Sequence, residues 1–513
     1  MGETAPLCAR IAAIARNDPA RAALADGTRS ATYGELWSQA SRFAAWLRGN
    51  GVVAGDRVAL VLANGIEAAA ACYGAWLAGA VAVPLNAQAR ARDLVPWLQH
   101  CGARAIVHAA GSADVDEALR APGTPALRVA VGAGARSDTT VSWDALPACA
   151  DAPATAHHAG DALATILYTS GTTGAPKGVM LSERNVASNV DSIVEYLALG
   201  AHDSIVSVLP FYYSYGASVL HTHLSVGARV VLESNTVFPQ LVVEALARER
   251  ATGFSGVPST YALLLDRVPL AQYDLTSLRY VTQAGGAMAP ALTSRLRAAL
   301  PNARVFVMYG QTEATARLTW LPPERLDEKT GSVGIPVPRV EIDVRSESGA
   351  PLARGEVGEV WARGANVMAG YWNNAEATAQ VLRDGWLRTG DLGRLDEEGY
   401  LFLSGRRSDM IKTGAHRVHP QDIEEVLAEI DGVVESAVVG IDDELLGQVI
   451  KAFIVGREGS VPTPEQVKAH CRARLPIYKI PKHVEFVAAL PRTASGKVRR
   501  VQLAGTPQIQ VPK

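Results

Sequence analysis

The 513-residue sequence is poor in cysteine, with five in all. They are scattered along the chain, and no two form a Cys-x-x-Cys pair: Cys8, Cys72, Cys101, Cys149 and Cys471. A disulfide framework or a zinc site would require paired or closely spaced cysteines, so neither is expected. The sequence therefore predicts free thiols and a protein of a reducing compartment, the cytoplasm.

An excess of charge of either sign is also missing, since 49 Lys and Arg face 51 Asp and Glu. The chain as a whole thus offers no electrostatic basis for a nucleic-acid partner. The N-terminus lacks a basic start followed by an apolar run, so no secretory signal is expected. The uncharged run from Ala68 to Leu85 is rich in Ala and Gly and contains Pro84. It predicts a buried helix followed by a buried strand rather than a membrane span.

Helical and strand patterns alternate over about the first 150 residues and again after residue 160, which favours layered α/β sheets. Residues 131–161 are poor in large apolar side chains and predict a surface loop. From about residue 331 short strands and turns suggest a β-rich subdomain. A compact α+β unit follows. We predict a large N-terminal domain at 1–404 and a small, mobile C-terminal domain at 405–513.

The segment "YTSGTTGAPKG", Tyr168 to Gly178, follows a predicted strand and has the composition of a phosphate-binding loop. Its glycines allow close approach of the backbone, its hydroxyls donate hydrogen bonds, and Lys177 supplies a positive charge. It is not a Walker A loop, because Pro176 precedes the lysine and Gly178 follows it. The predicted phosphate-binding residues besides the lysine are Thr169, Ser170, Gly171, Thr172, Thr173 and Gly174.

The same segment resembles the phosphate-loop signature of the adenylate-forming enzymes, the superfamily of acyl-CoA and aryl-CoA synthetases, adenylation domains and beetle luciferases. Further motifs resemble that superfamily in its order along nearly the whole chain. They are "YGQTEA" (309–314), "GEVGEVWARGANVMAGYWN" (355–373), "LRTGDLG" (387–393), "GRRSDMIKTGAHRVHPQDIE" (405–424) and "PRTASGKVRR" (491–500).

The resemblance implies a nucleotide site. Glu313 would bind Mg²⁺ together with Thr169, and Thr312 would contact the α-phosphate. Asp391 resembles the carboxylate that accepts both ribose hydroxyls, and Arg406 resembles the second ribose contact. Residues implied along adenine and the acyl group are Gly285, Gly286, Ala287, Tyr309, Gly310 and Gln311.

Lys497 resembles the lysine that bridges the acid and the α-phosphate during adenylation. The family then rotates its small domain to present another loop for attack by the thiol. Two positions depart from the family pattern. The hinge position, usually Asp or Lys, is Ser408, and the position after Gly414 in the thiol tunnel, often Gly, is Ala415. The second departure bears on the thiol step rather than on adenylation.

The acid pocket is expected around Tyr212, Tyr213, Ser214 and Gly216. Relatives that activate α-amino acids place an Asp where this chain has Tyr212, so an α-amino acid is disfavoured. The aromatic side chains of "LPFYYSYG" predict an apolar wall with polar tips. His221 and His223 lie two apart on one predicted helix and should face different directions, which argues against a shared metal.

We therefore expect an ATP-dependent acid–thiol ligase of the acyl-CoA synthetase type, acting on an uncharged acyl or aryl acid. ATP, Mg²⁺ and CoA are the implied cofactors. An alternative is a stand-alone adenylation enzyme that loads the phosphopantetheine of an acyl carrier protein. A second alternative, a nucleotide sensor without catalysis, is disfavoured because the implied catalytic side chains are all present.

Overall fold

The computed structural model describes residues 5–27, 29–132, 139–148, 160–169, 177–233, 238–406, 409–413, 416–443, 447–457, 459–492 and 498–504. They form a mixed α/β protein with a large N-terminal part and a smaller C-terminal part, which confirms the predicted fold class.

The described strands are β1 (Ala22–Asp26), β2 (Arg29–Thr32), β3 (Arg57–Val61), β4 (Val81–Pro84), β5 (Ala103–Ala109), β6 (Leu127–Val131), β7 (Thr140–Ser142), β8 (Leu163–Thr169), β9 (Lys177–Ser182), β10 (Ser204–Ser207), β11 (Arg229–Leu232), β12 (Gly253–Gly256), β13 (Tyr280–Gln283), β14 (Arg304–Tyr309), β15 (Thr319–Leu321), β16 (Ile335–Pro336), β17 (Val340–Arg345), β18 (Gly358–Gly364), β19 (Gly370–Tyr371), β20 (Leu382–Arg383), β21 (Trp386–Leu395), β22 (Leu401–Arg406), β23 (Ile411–Thr413), β24 (His416–Val418), β25 (Val433–Asp443), β26 (Gly447–Gly456) and β27 (His483–Phe486).

The described helices are α1 (Leu7–Asn17), α2 (Tyr33–Gly49), α3 (Ile66–Leu77), α4 (Ala91–Cys101), α5 (Ala113–Ala118), α6 (Glu183–Leu197), α7 (Ser214–Ser225), α8 (Pro239–Arg248), α9 (Pro258–Arg267), α10 (Pro290–Ala299), α11 (Ala375–Val381), α12 (Pro420–Leu427), α13 (Pro464–Arg474) and α14 (Arg500–Ala504).

Among the described residues, the strands form two large sheets and two smaller ones. One large sheet has the order β16-β15-β14-β13-β12-β10-β11-β1-β2, and the other has the order β19-β9-β8-β4-β3-β5-β6-β7. Their central strands are parallel, as the alternation of helices and strands predicts. Toward one edge of each sheet the pairing is antiparallel: β8 pairs with β9 in one sheet, and β14 pairs with β15 in the other. The sequence patterns did not reveal these antiparallel pairs.

The two large sheets share one hydrophobic core, which includes Val230 of β11 and Leu60 of β3. Helix α7 contributes Leu220 and Leu224 to this core and is buried along most of its length. The run from Ala68 to Leu85 forms the buried helix α3 and strand β4, as expected. Helix α7 therefore has a fixed position from which to present side chains to the site.

Side-chain caps fix where several helices begin. Thr32 and Glu35 form a capping box at α2, and Ser182 and Asn185 form one at α6. In each, the cap hydroxyl accepts a hydrogen bond from the third helical residue, whose side chain accepts one from the cap backbone. Such a cap stabilises a helix by ~1 kcal/mol.

The predicted surface loop at 131–161 is wrong for part of its length. Residues 140–142 form β7 beside β6, and the next residue, Trp143, is buried. The Trp143 indole donates a hydrogen bond to Gln39 over 3.2 Å, and its ring centroid lies 5.3 Å from that of Phe43. A single large aromatic side chain thus anchors a segment that is otherwise small and polar.

The β-rich subdomain is present as the sheet β17-β18-β21-β20, with β22 paired to β21. The C-terminal unit has its own sheet, β24-β23-β26-β25 with β27 paired to β26, and α12 packs on it. A separate hydrophobic cluster, with Ile411, Ile423, Ile454 and Val467 among its members, forms the core of this unit. The predicted boundary between residues 404 and 405 stays a prediction.

In the part of the chain that the structure describes, no helix is long and apolar enough to cross a membrane. Four of the five cysteines lie in that part, and all four are buried free thiols: Cys8, Cys72, Cys101 and Cys471. Burial raises the pKa of Cys72 to about 12, so its thiol is protonated and unreactive at neutral pH.

Candidate active site

Several predicted site segments follow the carboxyl ends of parallel strands in one sheet. Strands β10, β12, β13 and β14 are parallel neighbours. Residues 285–287 follow β13, residues 310–314 follow β14, and the segment 211–214 follows β10. Ligands of open α/β sheets bind at this edge, because the loops that leave it converge there. The sheet thus brings the implied nucleotide and acid segments together.

The first cluster at this edge joins Tyr309, Asp391 and Arg406. The Tyr309 hydroxyl donates a hydrogen bond to Oδ2 of Asp391 over 2.6 Å, and Nε of Arg406 lies 3.2 Å from Oδ1. Asp391 and Arg406 are direct partners in the antiparallel pair β21–β22, which explains their contact. Both oxygens of the carboxylate are therefore fixed in place by neighbouring side chains.

Burial and the charge of Asp391 fix the protonation states of Tyr309 and Arg406. Burial, reinforced by the negative charge of Asp391, raises the pKa of Tyr309 well above its ordinary value, so the hydroxyl remains a hydrogen-bond donor. The carboxylate of Asp391 raises the pKa of Arg406, which stays a cation. The cluster presents a buried carboxylate beside a half-exposed guanidinium, a combination that suits a diol next to an anion.

The second cluster joins Glu313, Tyr371 and Lys177. The Tyr371 hydroxyl donates a hydrogen bond to Oε1 of Glu313 over 2.8 Å. Nζ of Lys177 lies 5.0 Å from the centroid of the Tyr371 ring, within cation–π range. Burial, followed by the charge of Glu313, raises the pKa of Tyr371, so its hydroxyl is protonated at neutral pH. One buried tyrosine thus contacts a carboxylate through its hydroxyl and an ammonium group through the face of its ring.

Strand pairing delivers Tyr371 to this position. Strand β19 pairs with β9, which places Tyr371 opposite Val179. The backbone N–H of Met368 donates to the carbonyl of Glu313 over 2.9 Å, which ties the same segment to the turn after β14. Asn185 at the start of α6 donates to the carbonyls of Ala365 and Val367. These contacts link the two large sheets at the site.

The predicted phosphate loop begins and ends within an antiparallel pair. Thr169 ends β8 and lies opposite Lys177, the first residue of β9. Lys177 was expected in the loop, and instead it begins a strand. The other predicted loop residues lie outside the described part of the chain: Ser170, Gly171, Thr172, Thr173 and Gly174. The same holds for Lys497, Ser408, Gly414 and Ala415.

The predicted acid-binding segment leads into helix α7. The ring centroids of Tyr212 and Tyr213 lie 4.4 Å apart, and both side chains are half-buried. Oγ of Ser214 lies 3.2 Å from Oγ1 of Thr312, which joins this segment to the nucleotide side of the site. Gly216 has no room for a side chain, because an added Cβ would lie 2.1 Å from the carbonyl oxygen of Pro210.

The expected aromatic wall is wrong for Tyr215. Its side chain is buried, and its hydroxyl hydrogen-bonds to the carbonyl and hydroxyl of Thr282, each over 2.9 Å. The guanidinium of Arg317 lies 4.2 Å from its ring centroid. Tyr215 lies in the first turn of α7 and its ring enters the core, so Tyr215 supports the sheet instead of lining a pocket.

The segment after β13 has the backbone form that the glycines predict. Gly285 has φ of +86°, a left-handed conformation that side chains disfavour. The amide of Gln283 donates to the carbonyl of Gly286 over 2.7 Å and holds the turn. Ala287 follows with only a methyl group as its side chain. A flat group therefore has access to the backbone of residues 285–287.

The comparisons with known proteins decide the family. The family model described as "AMP-binding enzyme" matches residues 11–372, and "AMP-binding enzyme C-terminal domain" matches residues 422–497. The chain belongs to the family of AMP-binding enzymes. This AMP-binding enzyme is 36% identical over 488 residues to a feruloyl-CoA synthase of Amycolatopsis sp, covering 94% of this chain and 95% of the relative. It is 34% identical over 483 residues to the long-chain-fatty-acid–CoA ligase FadD13 of Mycobacterium tuberculosis, covering 94% of each.

Solved structures agree with that assignment. The o-succinylbenzoate CoA synthetase of Bacillus subtilis, in complex with its acyl-adenylate intermediate, superposes with a TM-score of 0.85 at 30% identity, covering 98% of this chain and 99% of that one. A benzoate CoA ligase from Burkholderia xenovorans gives a TM-score of 0.88 at 29% identity, covering 98% and 100%. These findings confirm the prediction of an acid–thiol ligase of the acyl-CoA synthetase type.

The residues of this AMP-binding enzyme fit a magnesium ion shared with substrate phosphates. Among the described residues, no group of three or more His, Cys, Asp or Glu side chains is placed to hold a metal. Mg²⁺ in phosphoryl-transfer sites needs only one or two protein carboxylates, because phosphates and waters complete its shell. The Tyr371 hydrogen bond engages Oε1 of Glu313, and no described residue donates to Oε2. Glu313 is therefore suited to such a role.

Sequence reasoning missed Tyr371. Its motif, "GANVMAGYWN", was noted, but no role was assigned to the tyrosine. A signal existed, because two adjacent aromatic residues directly after a glycine, in the "GYW" triplet, predict aromatic side chains near a turn. What the sequence does not show is that β19 crosses to the second sheet, which is why the contact with Glu313 was not anticipated.

We expect Tyr371→Phe to slow acid-dependent pyrophosphate release about 10-fold and to raise the Mg²⁺ concentration needed for half-maximal rate, because a hydrogen bond to a charged group is lost. The ring and its contact with Lys177 remain, so the melting temperature should change little. Magnesium titrations of the two proteins measure this effect. Tyr400→Phe is a matched control, since Tyr400 is buried with Lys329 over its ring. An unchanged magnesium dependence in Tyr371→Phe would contradict a positioning role.

Proposed function

We propose that this AMP-binding enzyme activates an uncharged aryl or acyl carboxylic acid with ATP and transfers the acyl group to CoA. The observation that carries the proposal is the pair of clusters at one sheet edge. One presents the Asp391 carboxylate beside a cation, and in the other Tyr371 contacts both the Glu313 carboxylate and the Lys177 ammonium. The charge of Asp391, and to a smaller extent that of Glu313, raises the pKa of Arg406, which supports one continuous site.

In the first half-reaction, the acid's carboxylate attacks the α-phosphate and pyrophosphate leaves. Asp391 accepts hydrogen bonds from the ribose hydroxyls, and the Tyr309 hydroxyl holds it in place. Arg406 contributes a second ribose contact. Thr312, beside Ser214, contacts the α-phosphate near the incoming acid. The adenine and acyl groups lie along the backbone of residues 285–287. Orientation of the two reactants removes much of the barrier.

Cations balance the charge of this step. Lys177 and the segment Ser170–Gly174 bind the departing phosphates through an ammonium, hydroxyls and backbone N–H groups. Lys497 would bridge the acid's carboxylate and the α-phosphate, where negative charge develops. Glu313 and Thr169 would hold Mg²⁺, which would neutralise phosphate charge.

The second half-reaction transfers the acyl group to a thiol and releases AMP. We propose CoA as that thiol, because the relatives named above are CoA synthases and CoA ligases. The small domain turns at Ser408 so that the segment with Gly414 and Ala415 lines the thiol path. The phosphopantetheine of a carrier protein has the same thiol, and the experiment below separates the two acceptors.

The acid is proposed to be uncharged beyond its carboxylate. Tyr212 stands where amino-acid-activating enzymes carry an aspartate, and the segment 209–226 contains no Asp, Glu, Lys or Arg. An ammonium group buried there without a partner would carry a high desolvation cost. Named relatives act on feruloyl and fatty acyl groups, and structural neighbours include ligases of benzoate and anthranilate, which supports an aryl or alkyl tail.

We expect pyrophosphate release that depends on the acid, and acceleration of turnover by CoA. The test is a panel of fatty, aryl and amino acids, each assayed without thiol, with CoA and with a phosphopantetheinylated carrier protein. CoA-thioester formation from at least one aryl or alkyl acid supports the proposal. Acceleration by the carrier protein alone would assign a loading enzyme. Preference for an α-amino acid would contradict the proposed acid class.

A further inference from the structure

Helix α7 carries a row of small side chains on the face toward strand β8. One face of the helix carries Ser214, Ala217, Ser218 and His221, because residues three or four positions apart in a helix lie on the same side. Two adjoining cavities lie along this row among the described residues, and they share Thr165 and Leu167 of β8, Ala217 and His221 as lining residues. The small side chains of this row thus border the cavities along this face of the helix.

The row begins at the catalytic edge. Ser214 lines the first cavity, and its hydroxyl lies 3.2 Å from that of Thr312. Thr315, at the other end of the same turn as Glu313, lines the first cavity as well. The second cavity continues between the sheets to Leu60 and Pro84 and is flanked by Tyr212. The space therefore leads from the proposed site of acid activation into the protein interior.

Nearly all of the lining is uncharged. Among the described residues that line either cavity there is no Asp, Glu, Lys or Arg. A charged tail would be buried without a counter-charge, at a high desolvation cost. The second cavity is lined mainly by aliphatic and aromatic side chains, and His221 is the one imidazole among the described residues around it. The lining of the cavities thus suits an uncharged group that meets a single strong polar group.

The hydrogen bond of His221 with Tyr73 defines which nitrogen that tail meets. Nδ1 lies 3.0 Å from the Tyr73 hydroxyl. Both side chains are buried, and burial lowers the pKa of His221 to about 3, so the imidazole is neutral. Burial also raises the pKa of Tyr73, so its hydroxyl keeps its proton.

The tautomer follows from these contacts. In the described part of the chain Nδ1 is the acceptor within reach of the buried Tyr73 proton, so Tyr73 donates and Nδ1 accepts. A neutral imidazole that accepts at Nδ1 carries its proton on Nε2. His221 therefore offers an N–H donor, without charge, to a molecule in the cavity.

We propose that these cavities receive the tail of the acid substrate and that His221 selects tails carrying a neutral oxygen acceptor, such as an ether, ketone or hydroxyl oxygen. This inference rests on the proposed function, since the tail belongs to the acid that is activated beside Thr312. His221 is a specificity-determining residue in this scheme. It takes no part in the chemistry at the carboxylate.

The experiment compares acids matched in size and shape that differ in one acceptor. One pair is para-methoxycinnamic and para-ethylcinnamic acid, and another is a keto fatty acid and its counterpart with a methylene in place of the carbonyl. For at least one pair, kcat/KM for pyrophosphate release in the wild type should favour the oxygen-bearing acid by about 10-fold or more, because the donor is unpaired with the other acid. His221→Leu should bring this ratio close to one.

His223→Leu is the matched control. His223 is equally buried on the same helix, but it bonds to the carbonyl of Val219 and to Tyr280, and it lines neither cavity. It should keep the wild-type ratio. A ratio of two kcat/KM values does not depend on the concentration of folded enzyme, so partial unfolding of either variant leaves the comparison intact.

Equilibrium binding of the same acids, by calorimetry without turnover, separates the two proposals. Pyrophosphate release with equal ratios in the wild type and His221→Leu would overturn the role of His221 and leave the proposed function standing. Binding selectivity that His221→Leu abolishes, without any pyrophosphate release, would support the tail site and overturn the proposed function. Neither binding nor release of any acid would overturn both.

Discussion

Glu313→Gln should lower the rate of acid-dependent pyrophosphate release by about 10²- to 10³-fold while leaving the fold intact, because an amide of the same shape removes the charge needed near the phosphates. The Tyr371 hydroxyl still finds an acceptor in the Gln carbonyl, so the hydrogen bond to this position persists. The measurement is a pyrophosphate-release assay over a range of Mg²⁺ and ATP concentrations. The loss should shrink as Mg²⁺ is raised if metal binding is what the carboxylate supplies.

Glu376→Gln is the control for this change. Glu376 is an exposed residue in the first turn of α11, five positions after Tyr371. It has the same chemistry, and it lies on the surface next to the segment that delivers Tyr371. Its replacement should leave both rates and magnesium dependence unchanged. An equally small effect in Glu313→Gln would contradict the assignment of Glu313 to the metal.

Lys497→Ala should slow the first half-reaction and leave the second nearly unchanged. Formation of the acyl-adenylate should fall by about 10³-fold, because a cation is removed from the point where charge develops in the first transition state. Transfer of the acyl group from a supplied acyl-adenylate to CoA should stay within a few-fold of the wild type, since the lysine serves one arrangement of the small domain. Single-turnover assays of each half-reaction measure the two effects separately.

A basic residue elsewhere in the small domain provides the comparison. Lys468 lies on helix α13, partly exposed to solvent. Lys468→Ala removes the same charge from the same domain and should alter neither half-reaction. If Lys497→Ala depressed both half-reactions to the same extent, the lysine would serve a general structural or electrostatic role, and the division of labour between domain arrangements would be wrong.

The family and its implied site were predictable because local sequence carried them. Glycines and hydroxyls before Lys177 indicate phosphate binding, and "YGQTE" and "RTGD" place carboxylates directly after or within strands. The parallel strands β13 and β14 then bring their following loops to one edge, which a pattern of alternating strands and helices already implies. For these residues, the sequence motifs and the sheet topology predict the same location for the site.

The contacts between sheets were not predictable in the same way. The meeting of Tyr371 with Glu313 depends on β19 pairing with β9, a contact between residues about 190 apart in sequence. The orientation of Tyr215 likewise depends on how helix α7 is rotated against β13, which periodicity leaves open for a helix that is buried on nearly all faces. Trp143 shows the same limit, since composition predicted a loop and one ring fixed it to the core.

The pairing of Asp391 with Arg406 has a consequence for product release. Arg406 is the last residue of β22, two positions before Ser408, where we propose that the small domain turns. The residues that bind the ribose and the hinge of the small domain would therefore share a short stretch of backbone. Rotation of the small domain would strain the pairing of β21 with β22 at that point and weaken the contacts with the ribose. Departure of AMP would then be timed by the same motion that admits the thiol.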